Sequence, residues 1–221
     1  RDNIKDLYNI KGKYDVIVDF ISYNSTQTKN ILNIFPNSRY ILISTSWNHI
    51  KYNAANKDKL KYIKNKRLAE LEIKKSKNIN NKIIRLPIVL GQEDHTGRSD
   101  FFKQTNKRKP KIVYVTNPDI EICFCWKTEV ADFIINQIFK IVPNKSFILY
   151  PKTYYKIKLS EFIKIYQLFE KRKYIYRTIE INKMDKEKYF NEYLKNIGDD
   201  FYYPIEILGK YRMNVANVDK L

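Results

Sequence analysis

Three short apolar runs constrain this chain more than anything else in it. They are Tyr14-Asp15-Val16-Ile17-Val18-Asp19-Phe20-Ile21, Tyr40-Ile41-Leu42-Ile43 and Ile83-Ile84-Arg85-Leu86-Pro87-Ile88-Val89-Leu90-Gly91. The first scarcely alternates between apolar and polar residues, which predicts a central strand covered on both faces, as in a parallel sheet. The second and third predict further buried strands. Between the runs lie helical segments. Ser25 is placed to cap a helix carrying Ile31, Leu32 and Phe35, and Pro36 stops it. A second helix is expected from about Tyr62 to Lys77. Strand, helix, strand, helix, strand is the order that builds βαβ units.

Beyond Gly91 the pattern loosens. Short strands are predicted at Lys111 to Val115 and Glu121 to Trp126, followed by an amphipathic helix capped by Thr128. After Pro143 come a strand, Ser146 to Tyr150, a helix begun by Leu159-Ser160-Glu161, and another helix from about Lys183 to Ile197. No Pro/Gly/Ser linker marks a clean boundary. The expected division is residues 1–142 as the main α/β domain and 143–221 as a small mixed C-terminal lobe, partly interleaved with it.

Composition closes off several classes. No apolar run approaches the eighteen or so residues of a membrane span, and Arg1 to Lys13 holds no apolar segment of a signal peptide. The net charge is +18, but it comes from lysines scattered over the chain. The densest basic runs are Lys107-Arg108-Lys109 and Lys171-Arg172-Lys173. Such a surface implies a weak attraction to any polyanion, nucleic acid included, rather than a dedicated nucleic-acid face. Cys123 and Cys125 are too close for an unstrained disulfide and have too few partner ligands for zinc. They predict reduced thiols of a cytoplasmic protein, and no metal site is expected.

Chemistry points first to Tyr62-Ile63-Lys64-Asn65-Lys66. On a helix, residues four apart share a face. A lysine ammonium beside a phenol favours the phenolate, which can then remove a proton from a hydroxyl. Among 18 Tyr in a lysine-rich chain, chance alone supplies about two or three Tyr-x-x-x-Lys matches. Tyr62/Lys66 and Tyr154/Lys158 both fit. Context separates them: Tyr62 opens a helix between two buried strands, and the preceding strand ends in Ser44-Thr45-Ser46. The C-terminal end of a parallel strand is where open α/β sheets bind ligands.

Tyr40-Ile41-Leu42-Ile43-Ser44-Thr45, followed by Tyr62-x-x-x-Lys66-x-x-x-Glu70, resembles the catalytic strand and helix of extended short-chain dehydrogenases/reductases, the NAD-dependent epimerase/dehydratase family. Asp15 to Phe20 looks like that family's fourth strand, whose end lies beside the cofactor. Ile84 to Gly91 resembles its strand flanking the nicotinamide, and Glu129-Val130-Ala131 its Asp-(Val/Leu)-Ala.

The resemblance implies a Rossmann-type parallel sheet and an epimerase or reductase acting on a nucleotide sugar, with NAD or NADP as cofactor. It assigns Thr45, Tyr62 and Lys66 to catalysis. Phe20, Ser22, Tyr62, Lys66, Pro87 and Val89 would contact the cofactor, and Thr45, Ser46 and Arg98 the substrate. His49 is a candidate replacement for a tyrosine usual in the family. Ser46-Trp47 stands where sugar-nucleotide dehydratases carry Asp-Glu, which argues against elimination chemistry.

The glycines are Gly12, Gly91, Gly97, Gly198 and Gly209, and no glycine-rich phosphate-binding turn is among them. The resemblance therefore implies an N-terminally truncated Rossmann sheet, a turn preceding Arg1, weak dinucleotide binding by the chain as it stands, and activity in an intact parent rather than in this chain alone. An oligomer is compatible with all of this. The rival expectations are an RNA-binding protein or a catalytically degenerate relative of the same fold.

Overall fold

The computed structural model describes residues 4–10, 12–49, 57–76, 78–91, 112–115, 118–119, 121–139, 148–152, 154–169 and 175–178. A short helix, α1 (Ile4–Tyr8), precedes the first strand, β1 (Val16–Asp19). β1 is shorter than the run that announces it because Asp19 ends it. The Asp19 Oδ1 accepts the backbone N–H of Ile21 at 2.7 Å and of Ser22 at 2.8 Å, which turns the chain out of the ladder.

Helix α2 (Ser25–Ile34) follows, and its cap is Asn24 rather than Ser25. Asn24 accepts the Gln27 amide at 3.0 Å, while Gln27 Oε1 accepts the Tyr23 amide at 2.6 Å. Asn caps as well as Ser, and a glutamine three residues on supplies the returning bond.

β2 (Arg39–Thr45) is buried from Tyr40 through Thr45 and leads into a 3₁₀ turn at Ser46–His49. Helix α3 (Lys57–Lys75) begins at Lys57 rather than Tyr62, since no Pro or Gly delays it. The third apolar run does not form one strand. It divides at Pro87 into β3 (Lys82–Leu86) and β4 (Ile88–Leu90), which pair in different sheets. Proline has no N–H to give a ladder, so the break falls there.

The rest comprises β5 (Ile112–Val115), β6 (Glu121–Trp126), α4 (Lys127–Phe139), β7 (Ile148–Leu149), β8 (Tyr155–Lys158), α5 (Leu159–Phe169) and β9 (Ile175–Thr178). The expected helix from Lys183 to Ile197 lies outside the described residues.

The described residues form two compact units. The first holds residues up to 87 together with 129–152. Its sheet is wholly parallel, in the order β1-β2-β3-β7. Among the described strands β1 pairs on one side only, with β2, and its first three residues are half-buried. The strand buried on both faces is β2, from Tyr40 through Thr45, and it pairs with β1 along one edge and β3 along the other. Tyr40, Leu42, Ala69, Ile73 and Ile83 form a buried cluster, with Ile17, Ile31, Leu32 and Ile148 packed against it. Helices α2 and α3 also pack on one another. Each fully buried Leu or Ile contributes about 1.5–3 kcal/mol, so this cluster fixes α3 on the sheet. Arg39 adds a tie by donating to the carbonyls of Gln137 and Ile138 at the end of α4, where a cation suits the helix dipole.

The second unit holds the described residues among 88–128 and 154–178. Its three-stranded sheet has the order β4-β6-β8, with β6 parallel to β4 and antiparallel to β8. β5 and β9 pair in parallel. Phe124 stacks on Tyr155 and meets Phe162 of α5 edge-on. Cys123 and Cys125 are buried free thiols.

Candidate active site

The first unit's strands end on a cluster of buried polar groups, and burial of that many charges demands partners. Lys66 lies at the centre. It is one helical turn beyond Tyr62 on α3, and only 7% of it is exposed. Its Nζ donates to the Ser22 carbonyl at 2.8 Å and to the Ile43 carbonyl at 3.2 Å. Those acceptors belong to the loop after β1 and to the end of β2. An ammonium carries three N–H donors, and among the described residues two of them are used. Burial pushes the ammonium below the ordinary lysine range, while Asp19 and then Glu70 act in the opposite direction.

Asp19 builds the Ser22 side of this arrangement through its turn, and it accepts the buried Tyr40 hydroxyl on its other oxygen. Burial, followed by the Asp19 charge, holds the Tyr40 phenol far above the usual tyrosine range. On the other side Glu70, one turn beyond Lys66, sits in a denser network. Its Oε1 accepts Ser44 Oγ at 2.6 Å, Asn48 Nδ2 at 2.5 Å and Arg85 Nε at 2.9 Å. Its Oε2 accepts Arg85 Nη2 at 2.6 Å. Arg85 Nη1 also donates to the Tyr150 hydroxyl at 3.1 Å.

Thr45, the last residue of β2, and Ser46, the first of the turn, are buried. The Ser46 hydroxyl is buried without a hydrogen-bond partner among the described residues, as is Asn48 Oδ1. Tyr62 is half-buried. Its ring lies 5.7 Å from that of Tyr23, centroid to centroid, at a tilt of 43°. The structure thus brings Lys66, Ser22 and the end of β2 together and sets Tyr62 on the residue next to Ser22.

Other expected positions fall further out. Phe20 is 61% exposed at the end of β1. Pro87 is buried at the break after β3, and Val89 is half-buried in the second unit. Arg98, His95 and the side chains of Trp47 and His49 lie outside the described residues. Tyr154 precedes β8 and Lys158 ends it, so that pair has no helix to share. Among the described residues no group of three His, Cys, Asp or Glu side chains is arranged to hold a metal. No described helix is long and apolar enough to cross a membrane.

Sequence reasoning did not single out Asp19, Asn48 or Arg85, and met Glu70 only as part of a motif. The available signal was the charge itself. Arg85 interrupts an otherwise apolar run, and a charge in a buried strand needs a partner.

No family model matches the chain, and no curated protein matches it in sequence. Solved structures do match. A UDP-glucuronic acid 4-epimerase from Bacillus cereus, in complex with NAD, superposes with a TM-score of 0.60 at 13% identity, covering 80% of this chain and 66% of that one. A GDP-L-fucose synthetase from Naegleria fowleri gives 0.61 at 11% identity, over 95% and 78%. An L-threonine dehydrogenase from Phytophthora infestans gives 0.58 at 12% identity, over 80% and 69%. The fold is of the Rossmann type. The chain spans about two thirds of the epimerase's length.

Proposed function

We propose that the protein is an NAD(P)-dependent epimerase or reductase acting on a nucleotide sugar. The observation that carries the proposal is the Lys66 ammonium, held by the Ser22 and Ile43 carbonyls one helical turn from Tyr62, with a third donor unused among the described residues. An oriented cation at the ends of parallel strands suits the hydroxyls of a nicotinamide ribose. The Ser46 hydroxyl beside Thr45, which has no partner among the described residues, suits a polar substrate atom. The solved structures of like fold include an NAD-bound epimerase and a GDP-sugar enzyme.

In this reading Lys66 would hold the ribose, with Phe20, Ser22 and Pro87 as further cofactor contacts. When bound, the cofactor would supply a hydride acceptor and donor for the reacting sugar carbon. The chain's own residues move the proton. Thr45 hydrogen-bonds the reacting sugar oxygen, and Ser46 takes that place if the register differs by one. The Tyr62 phenolate removes the hydroxyl proton as the carbon is oxidised and returns it on reduction. Arg98 pairs with the diphosphate of the substrate.

Calorimetric titration of the protein and of Lys66→Met with NADH and NADPH tests the cofactor site. Binding to the wild type, with a dissociation constant raised about tenfold or more in the variant, supports it. Absence of nicotinamide binding together with a salt-sensitive RNA affinity would replace it with the RNA-binding alternative.

A further inference from the structure

We propose that Glu70 is a positioning residue that holds the end of β2 and its following turn, and with them the Thr45 and Ser46 hydroxyls, in the geometry the reaction needs. The inference rests on the assignment of Thr45 and Tyr62 proposed above. Glu70 is 3% exposed and faces the same side of α3 as Lys66. Through one oxygen it accepts Ser44 Oγ and Asn48 Nδ2, the residues that bracket Thr45 and Ser46. Arg85 of β3 grips the carboxylate with two further bonds.

The turn is also held by its main chain, because Arg67 donates to the Asn48 carbonyl through Nε at 3.2 Å and Nη2 at 2.6 Å. One helix therefore grips both the side chain and the backbone of Asn48. The cost of this arrangement is visible. With its Nδ2 on Glu70, Asn48 leaves Oδ1 buried and without a partner among the described residues. Such an orphan is unfavourable, so the orientation persists because the charge-assisted bond to Glu70 outweighs it. The Lys66 contacts with Ser22 and Ile43 use different atoms, so the turn can be released without disturbing them.

Asn48→Ala and Ser44→Ala, singly and together, cut Glu70 from the strand end and leave its ion pair with Arg85 in place. Amide hydrogen exchange on the free protein reads the positioning directly, and kinetics reads its consequence. Exchange at amides 45–49 should rise about tenfold or more, while β1 and β3 keep their protection. With nucleotide sugar, kcat should fall about 10- to 100-fold and the NADH dissociation constant should stay within about twofold.

Unchanged exchange at amides 45–49 would overturn the proposal. So would loss of protection across the whole sheet with rate and cofactor affinity falling together, because Glu70 would then serve stability alone. If the wild type turns over no nucleotide sugar, the enzymatic reading fails, and the exchange pattern alone decides whether Glu70 positions the turn.

Discussion

Replacing Glu70 with glutamine should cost more than any surface change of equal size. Four hydrogen bonds converge on its carboxylate, and the side chains of Glu70 and Arg85 are 3% and 10% exposed. The substituted amide would present an N–H to Arg85 or to Asn48, donor against donor, and would leave the guanidinium without its counter-charge. Breaking one side of a buried pair typically costs about 3–5 kcal/mol. Domains of this kind have total stabilities of about 5–15 kcal/mol, so the loss is a large share.

The pair's own worth is a separate quantity. Substituting both partners with apolar residues of similar size removes the stranded charge and is often nearly neutral. Urea denaturation of Glu70→Leu, Arg85→Met and the double variant closes the cycle. The double variant should be less destabilised than the sum of the singles by about 1–3 kcal/mol. Additive losses, or a Glu70→Gln variant within about 1 kcal/mol of wild type, would refute the view that this pair is a buried, mutually dependent unit.

Tyr40→Phe should cost about 1.5–3 kcal/mol at neutral pH, since the buried hydroxyl donates to a carboxylate. The folded phenol titrates above its ordinary value of 10.0. Its contribution is therefore fully present below pH of about 10 and is lost as the pH climbs further. The wild-type advantage over Tyr40→Phe should hold steady from neutrality upward and shrink only in strong alkali, and a decline between neutral pH and pH of about 10 would contradict the assignment. Gly91→Ala should destabilise by about 1–3 kcal/mol, because its Cβ would stand 2.7 Å from the Lys127 Cβ, an atom tied to the backbone. A denaturation midpoint equal to wild type would show that the contact relaxes without cost.

Much of the first unit was legible in the sequence because its strands are buried ladders of β-branched residues with helices between them. β2 and the start of β3 could be read from Tyr40-Ile41-Leu42-Ile43 and Ile83-Ile84. Errors came where one side chain redirects the backbone. Asp19 ends β1 by capturing two amides, Asn24 caps α2 one residue early, and Pro87 hands the third run to a second sheet.

The site followed the same division. Tyr62 and Lys66 share a face by helical spacing, and Thr45 closes a strand, so all three were readable locally. The Glu70 network was not. Glu70 and Arg85 are 15 residues apart, and Ser44 stands beside Arg85 only through the pairing register of β2 and β3. Spacing along the chain carries no record of that register.

The central claim is that Tyr62 moves the proton, and Tyr62→Phe tests it most directly. The phenyl ring keeps its place beside Tyr23, so NADH affinity and folding should be retained while the proton acceptor is lost. Turnover of UDP- and GDP-sugars, compared at equal cofactor saturation, should drop by about 10²–10⁴-fold, the usual share of general acid–base catalysis. Near-normal turnover by Tyr62→Phe would contradict the account, because the reaction would then draw its proton from another group.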